Sequence, residues 1–291
     1  MDFGAKVVLV TGASTGLGLA LSRRLVQTEH RVILTARSQS LARFKEQGLQ
    51  ESPRVWVRPM DVTDGSQRRR VIEEASERWS GVDVLINNAG IAYRSVVEHL
   101  KDHERLEQMD INFNAPMELV RLVLPGMRQK KAGRILNISS VGGMMAMPTM
   151  AMYSASKFAL EGATEALWYE VRPWNIRVSL IQPGFINSES FMKTRRTSSS
   201  QRSETSELDP YHNHYRFMQP FIARMMRLAF ATPEDVANTI LKTMERRRPP
   251  LRVPATLDAH FFALLRRLLP RNVYHRVLYY ALPNVRKWGP F

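Results

Sequence analysis

Midway along the chain two adjacent serines, Ser139 and Ser140, are followed by Tyr153 and then by Lys157. A free phenol has a pKa of about 10, too high to move protons freely near neutrality. An ammonium beside it stabilises the phenolate and lowers that value. Tyr153 and Lys157 stand four apart at the start of a stretch that reads as a helix to Arg172, with Pro173 marking its end, so their side chains share one face. The pair is a candidate proton donor and acceptor. A serine hydroxyl at the end of the preceding strand can hydrogen-bond a substrate oxygen and stabilise its developing charge. The plainer readings are an exposed helix pair for Tyr153 and Lys157 and backbone capping for the serines, which suits Ser139 well. Met144, Met145, Met147, Met150 and Met152 fill the interval. Methionine adapts to irregular apolar partners, so this run reads either as the wall of a pocket for a bulky, oily substrate or as ordinary core.

A second stretch suits an anion. The first strand-like segment ends in TGASTGLG, Thr11 to Gly18. Glycines at 12, 16 and 18 allow a tight turn and a close backbone approach, and the helix that follows points its free N–H groups at a phosphate. Gly12, Ser14, Thr15, Gly16, Leu17 and Gly18 are therefore candidate contacts of a dinucleotide pyrophosphate. At the end of the second strand a carboxylate would hold a ribose 2′-OH and favour NAD. Here Ala36 and Arg37 stand in that place, and a guanidinium suits a 2′-phosphate. The cofactor expected is NADP(H). Asp61 and Val62 follow the third strand where an adenine can lie. Asn88, Ala89 and Gly90 form a small turn after the fourth.

The elements that must position these residues alternate. Strand-like runs occur at Lys6–Gly12, Arg31–Ala36, within Arg54–Val62, and at Val82–Gly90, Gly133–Ser140 and Ile176–Gly184. Helical stretches separate them: Gly16 to about Glu29, a helix capped by Asp64 through about Trp79, a long helix within Glu104–Lys130 that Pro116 is expected to disturb, and the helix of Tyr153. Continuous apolar strands joined by helices predict an α/β fold, a Rossmann-type doubly wound parallel sheet in a single domain. After Gly184 the pattern breaks. Lys193–Glu207 is polar, Ser/Thr-rich and expected to be mobile, and Tyr211–Phe230 is rich in aromatics and methionine. Together, about 189–232, they form a candidate lid. Thr232–Arg247 reads as a well-capped helix, and the proline-rich stretch after it can supply a last strand. The expected division is a domain over 1–255 and an amphipathic helical extension over 256–291.

With these residues in order, the chain resembles the short-chain dehydrogenase/reductase family across roughly Lys6 to Glu189. The resemblance rests on T-G-x-x-x-G-x-G at 11–18, D-V at 61–62, N-N-A-G at 87–90, Asn112 in DINFNA, Ser140, Y-x-x-x-K at Tyr153 and Lys157, and P-G at Pro183 and Gly184. It implies a catalytic set of Asn112, Ser140, Tyr153 and Lys157. The family's interval of thirteen to the tyrosine selects Ser140 over Ser139, and its pattern selects Asn112 over Asn114, for a proton relay through water. It also implies cofactor contacts from Tyr153, Lys157, Pro183, Gly184, Ile186 and Ser188, the last in place of the usual threonine. Ala115 replaces a common glycine. The activity implied is carbonyl–alcohol interconversion by hydride transfer, closest in look to branches acting on steroids, retinoids and similar lipids. Two other readings are a reductase of 3-oxoacyl or small carbonyl compounds and a non-catalytic NADP(H)-sensing protein.

The bulk composition narrows the rest. The 291 residues include no cysteine, which excludes disulfides and thiolate metal sites. His212 and His214 lack clustered ligands, so no metal is expected. No signal peptide or bilayer-spanning run is evident, and a cytoplasmic protein is expected, with a peripheral membrane location open. The formal net charge is +15; it fits a solvated basic surface, a phosphorylated cofactor or an anionic membrane, and no nucleic-acid reading motif accompanies it. The tail places Phe261, Phe262, Leu264, Leu265, Leu268 and Leu269 on one helical face. A second apolar set follows: Val273, Val277, Leu278, Ala281 and Leu282. Such faces can lie on a membrane, on another subunit in a homodimer or homotetramer, or on their own domain.

Overall fold

The computed structural model describes residues 4–187 and 194–289. Ser188, a candidate cofactor contact, lies outside the described residues, as does the 189–193 start of the candidate lid. In chain order β1 is Val7–Val10, α1 Gly16–Leu25, β2 Arg31–Ala36, α2 Ala42–Glu46, β3 Val55–Pro59, α3 Gly65–Trp79 and β4 Val84–Asn87. The short β5, Tyr93–Arg94, precedes α4, Asp102–Met109, and α5, Ala115–Gln129. Then come β6, Gly133–Ile138, α6, Ala151–Val171, and β7, Ile176–Gln182. The remainder holds β8 (Arg195–Arg196), α7 (Ser198–Thr205), α8 (His212–Arg227), α9 (Pro233–Glu245), β9 (Arg252–Pro254), α10 (Leu257–Leu268) and α11 (Arg271–Ala281).

Seven strands form one sheet in the order β3-β2-β1-β4-β6-β7-β9, and every pairing in it is parallel. The order reverses between β1 and β4, which opens a crevice at their carboxyl ends. Successive strand residues face opposite sides. Val7 and Leu9 join a core with Trp56, Trp79, Leu119 and Leu167, beneath α3, α5 and α6. Val8 and Val10 join a second core with Leu21, Leu25, Val236 and Ile240, beneath α1 and α9. The strands are buried on both faces, which is why they read as unbroken apolar runs.

Three local expectations change. First, the long helix is broken not at Pro116 but ahead of it, by a π-helical turn over Asp110–Asn114. A proline ring clashes with the carbonyl four residues back, here Asn112, and the wider turn relieves that clash. Second, most of the Ser/Thr-rich stretch is an ordered helix, α7. Thr197 caps it by accepting from Ser200 N at 3.0 Å. Ser200 and Ser203 are fully buried, and Ser203 Oγ donates to Asp209 at 2.8 Å. Polar composition conceals this, because a serine is small enough to be buried once its hydroxyl is bonded. Third, α1 ends at Leu25 instead of reaching Glu29.

Candidate active site

The glycine loop begins where β1 meets β4. Thr11 Oγ1 accepts from the backbone N–H groups of Asn88 and Ala89, both at 3.0 Å. Asn88 Nδ2 returns two bonds, to the carbonyls of Thr11 at 2.9 Å and Gly12 at 3.1 Å. A Cβ on Gly12 would stand 2.9 Å from Ala89 Cα, so only glycine allows the two loops to meet. Gly16 takes φ +54° and faces open space. Thr15 makes no side-chain cap at the start of α1, and no acidic residue occupies its first turn. Uncapped N–H donors facing open space, with no competing carboxylate, fit a pyrophosphate. Ser14 is buried within the loop, and Leu17 is a partly buried neighbour of the core.

Arg37 is exposed directly after β2. Asp61 Oδ1 accepts from Thr63 N at 2.9 Å and from its hydroxyl at 2.7 Å, which shapes the turn after β3. The Val62 side chain belongs to the core. Pro183 is buried, and its carbonyl accepts from Val141 N at 2.8 Å, tying the end of β7 to the loop after β6. Ile186 lies partly buried against the core.

The four residues of the candidate catalytic set converge. Ser140 stands two residues past β6 and caps a short 3-10 turn, accepting from Gly142 N at 3.0 Å. This reverses the expectation for the two serines: Ser140 caps, whereas Ser139 Oγ is buried without a hydrogen-bond partner among the described residues. The ring of Tyr153 lies so close to Gly142 that a Cβ there would stand 2.9 Å from Cε1. Burial raises the Tyr153 pKa, and a hydrogen bond with Ser140 works against that rise. Lys157 is buried. Its Nζ donates to Ile138 O at 2.8 Å and lies 5.9 Å from the centre of the Tyr153 ring. Burial lowers its pKa to about 8, opposed by the charge of Glu161. The ionisation of both groups is therefore set by burial first, and not by the phenolate–ammonium attraction that the spacing suggested.

Asn112 is buried in the π turn, while Asn114 is exposed and bonded to Asp110. Asn112 Oδ1 accepts from Ile91 N at 2.9 Å, and Nδ2 donates to Ile91 O at 2.8 Å and to Ser156 Oγ at 3.0 Å. A Cβ on Gly90 would lie 3.2 Å from Asn112 Oδ1 and 3.8 Å from Lys157 Nζ, so the turn after β4 is the meeting point of both side chains. Thr149, with φ +62°, turns the chain into α6 two residues before the helix begins.

Sequence reasoning missed several supporting residues. Ser156 and Glu161 stand three residues after Tyr153 and four after Lys157, so helical spacing could have found both. Glu161 is buried, receives Gln182 Nε2 at 2.8 Å and pairs with Arg252 at 3.1 Å. Thr256 and Asp258 hold the loop after β7: Gly184 N donates to Thr256 Oγ1 at 2.9 Å and Phe185 N to Asp258 at 2.8 Å. No local signal marks contacts that span more than seventy residues. Of the methionine run, Met144 and Met145 are buried, and Met147, Met150 and Met152 are half-buried. His212 bonds Ser203 O at 2.8 Å, and the His214 ring lies tilted against Trp288, centroids 4.7 Å apart.

Similarity to known proteins extends over most of the chain. The family described as short chain dehydrogenase matches residues 6–199. A 3-ketodihydrosphingosine reductase of Bacteroides thetaiotaomicron is 33% identical over 280 residues, which cover 95% of this chain and 98% of that protein. Human 17-beta-hydroxysteroid dehydrogenase type 1 is 32% identical over 272 residues, covering 89% of this chain and 80% of that protein. A short-chain dehydrogenase from Streptomyces avermitilis superimposes with a TM-score of 0.79 at 29% identity, covering 96% of this chain and 97% of that one.

Proposed function

The chain belongs to the short-chain dehydrogenase family, and within it we propose an NADP(H)-dependent oxidoreductase that interconverts a carbonyl and an alcohol on a bulky, hydrophobic substrate. The observation that carries this reading is the convergence of Ser140, Tyr153, Lys157 and Asn112 beside the glycine loop at the sheet's switch point. When bound, the nicotinamide nucleotide supplies or accepts the hydride.

The protein's own groups handle the proton and hold the reactants. Ser140 Oγ accepts from Gly142 N and stands close enough to Tyr153 to oppose the rise in its pKa, and its hydroxyl proton is the donor for a substrate oxygen. A raised pKa keeps the Tyr153 phenol protonated at neutral pH, the form that gives a proton to a nascent alkoxide. The reverse reaction takes that proton back and is favoured at alkaline pH. Lys157 is largely cationic below about pH 8 and stabilises the phenolate when the proton leaves. The Asn112 amide is engaged by Ile91 and Ser156, so it acts by holding the Gly90–Ile91 turn against Lys157.

Gly12, Ser14, Thr15, Gly16, Leu17 and Gly18 would hold the pyrophosphate at the start of α1. Arg37 would hold a 2′-phosphate, since Ala36 offers no carboxylate to a 2′-OH. The methionines beside Tyr153 favour an oily substrate. Relatives whose names specify a 3-ketodihydrosphingosine and a hydroxysteroid support the same class. The α7–α8 segment acts as the lid of that pocket.

The test is NADPH oxidation with a panel of lipid ketones. Tyr153→Phe is expected to lower turnover by about 10²–10⁴-fold while leaving NADPH binding intact. NADPH binding with no turnover on any carbonyl would replace the enzyme by a nucleotide-sensing binding protein. Turnover confined to 3-oxoacyl or small carbonyl compounds would remove the hydrophobic-substrate assignment.

A further inference from the structure

The helix α10 is turned the opposite way to a core helix. Leu257, Phe261, Leu264 and Leu268 follow each other at spacings of four, three and four, so they line one face. That face points outward: the four residues are 75%, 59%, 55% and 68% exposed. The inner face carries Ala259, which is fully buried, and Arg266, whose guanidinium donates to the Met144 carbonyl. Next along the chain, α11 repeats the arrangement. Val273, Val277 and Tyr280 are exposed at spacings of four and three, while Tyr274 turns inward and is buried. A helix placed only for packing would point these side chains the other way, since each large apolar side chain left in water forgoes about 1.5–3 kcal/mol.

Charge indicates what covers the face. From Leu257 to the C-terminus the chain carries Arg266, Arg267, Arg271, Arg276, Arg286 and Lys287 against one acidic residue, Asp258. A second copy docking through the same face would bring two basic surfaces together, and α10, at 12 residues, is shorter than two heptads. An anionic surface meets no such repulsion. Among the described residues no helix is long and apolar enough to cross a membrane, which leaves lying in the interface.

We propose that the outward face of α10 and α11 docks the protein on an anionic phospholipid bilayer. The docking helix is anchored to the active-site rim on its inner side, through Thr256 and Asp258 on the Gly184–Phe185 loop and Arg266 on Met144. A lipid drawn from the bilayer would therefore arrive beside Tyr153, and this consequence alone rests on the proposed function.

The experiment is co-sedimentation of the full chain with two kinds of vesicle, phosphatidylcholine alone and phosphatidylcholine with about a third phosphatidylglycerol. Binding is expected to the anionic vesicles, to fall with added salt, and to drop roughly tenfold or more in the Phe261→Glu/Leu264→Glu variant. Both residues are exposed, so the variant is expected to fold, with circular dichroism and melting temperature as in the wild type. Equal binding by variant and wild type, or no binding to anionic vesicles, overturns the proposal. So does a wild-type dimer that the variant converts to monomer without any vesicle binding, which would assign the face to a second copy. These readouts need no activity, so they stand apart from the failure of the oxidoreductase reading.

Discussion

Lys157 is an ammonium buried in the protein, where the Ile138 carbonyl accepts from it and the charge of Glu161 partly compensates it. A fall from the usual 10.5 to about 8 corresponds to about 3 kcal/mol of penalty on the charged form. The unfolded chain holds this proton more tightly than the folded one, so the penalty is fully present below about pH 8, shrinks as pH rises, and is gone above the unfolded value. Lys157→Met removes the ion but leaves Ile138 O unsatisfied, which takes back about 1–2 kcal/mol. The expected net effect at pH 7 is a Tm higher by about 2–4 °C together with loss of turnover. The gain should narrow between pH 8 and 10.5. Calorimetry across that range tests it: a lower Tm at pH 7 would mean that the ammonium stabilises the fold outright. Arg37 belongs to the same scale. If Arg37 holds the 2′-phosphate, Arg37→Asp sets a like charge against it, so KM for NADPH is expected to rise about 10–100-fold without a matching rise for NADH. Equal losses with both nucleotides would remove the 2′-phosphate role.

At the scale of elements, α6 and the turn before it align the phenol. The contact that fixes the ring is with the backbone of Gly142, where an added methyl would stand 2.9 Å from Cε1 and 3.2 Å from Cδ1. Gly142→Ala must therefore push the ring aside by a few tenths of an ångström or more. A displacement toward 1 Å costs about 10²-fold in rate, so kcat is expected to fall about 10- to 100-fold with cofactor affinity and circular dichroism unchanged. Unchanged kcat would show that the ring position is not what limits proton transfer. The elements themselves were legible wherever a cap or a period marked them. Asp64 accepts from Ser66 N and Gln67 N at the start of α3, and Thr232 with Asp235 forms a reciprocal cap on α9, both as their residue types suggest. The π turn was only half legible. Pro116 announces a disturbance, but whether the chain answers with a kink or with a wider turn depends on the contacts of Asn112 with Ile91 and Ser156. Those contacts are tertiary and leave no mark on local sequence.

At the scale of the molecule, helical spacing alone pairs Tyr153 with Lys157, whereas Asn112 and Ser140 are singled out from Asn114 and Ser139 only by the family resemblance. The seven-stranded sheet could be read because strands buried on both faces stay continuously apolar. The role of the tail could not. Its apolar residues left a membrane, a second subunit and its own domain open as partners; α10 turns Leu257, Phe261, Leu264 and Leu268 to solvent, and its polar N-terminal turn is what holds the loop after β7. Asp258 accepts from Phe185 N, and the space beside Gly184 that a side chain would need is filled by the Asp258 carboxylate. The loop that carries the candidate nicotinamide contacts Pro183, Gly184 and Ile186 is thus fixed by a residue beyond the expected end of the domain at 255. If the tail completes the cofactor site, Asp258→Ala should weaken NADPH binding about 5- to 10-fold, the worth of one ordinary net hydrogen bond of about 1 kcal/mol, with kcat at saturating cofactor nearly retained. Asp258→Asn keeps an acceptor oxygen and should recover most of the affinity. Titration of the three proteins by NADPH fluorescence separates the cases. Equal affinity in all three would show that the Asp258 carboxylate does not set cofactor affinity and would leave Thr256 as the tail's hold on the loop.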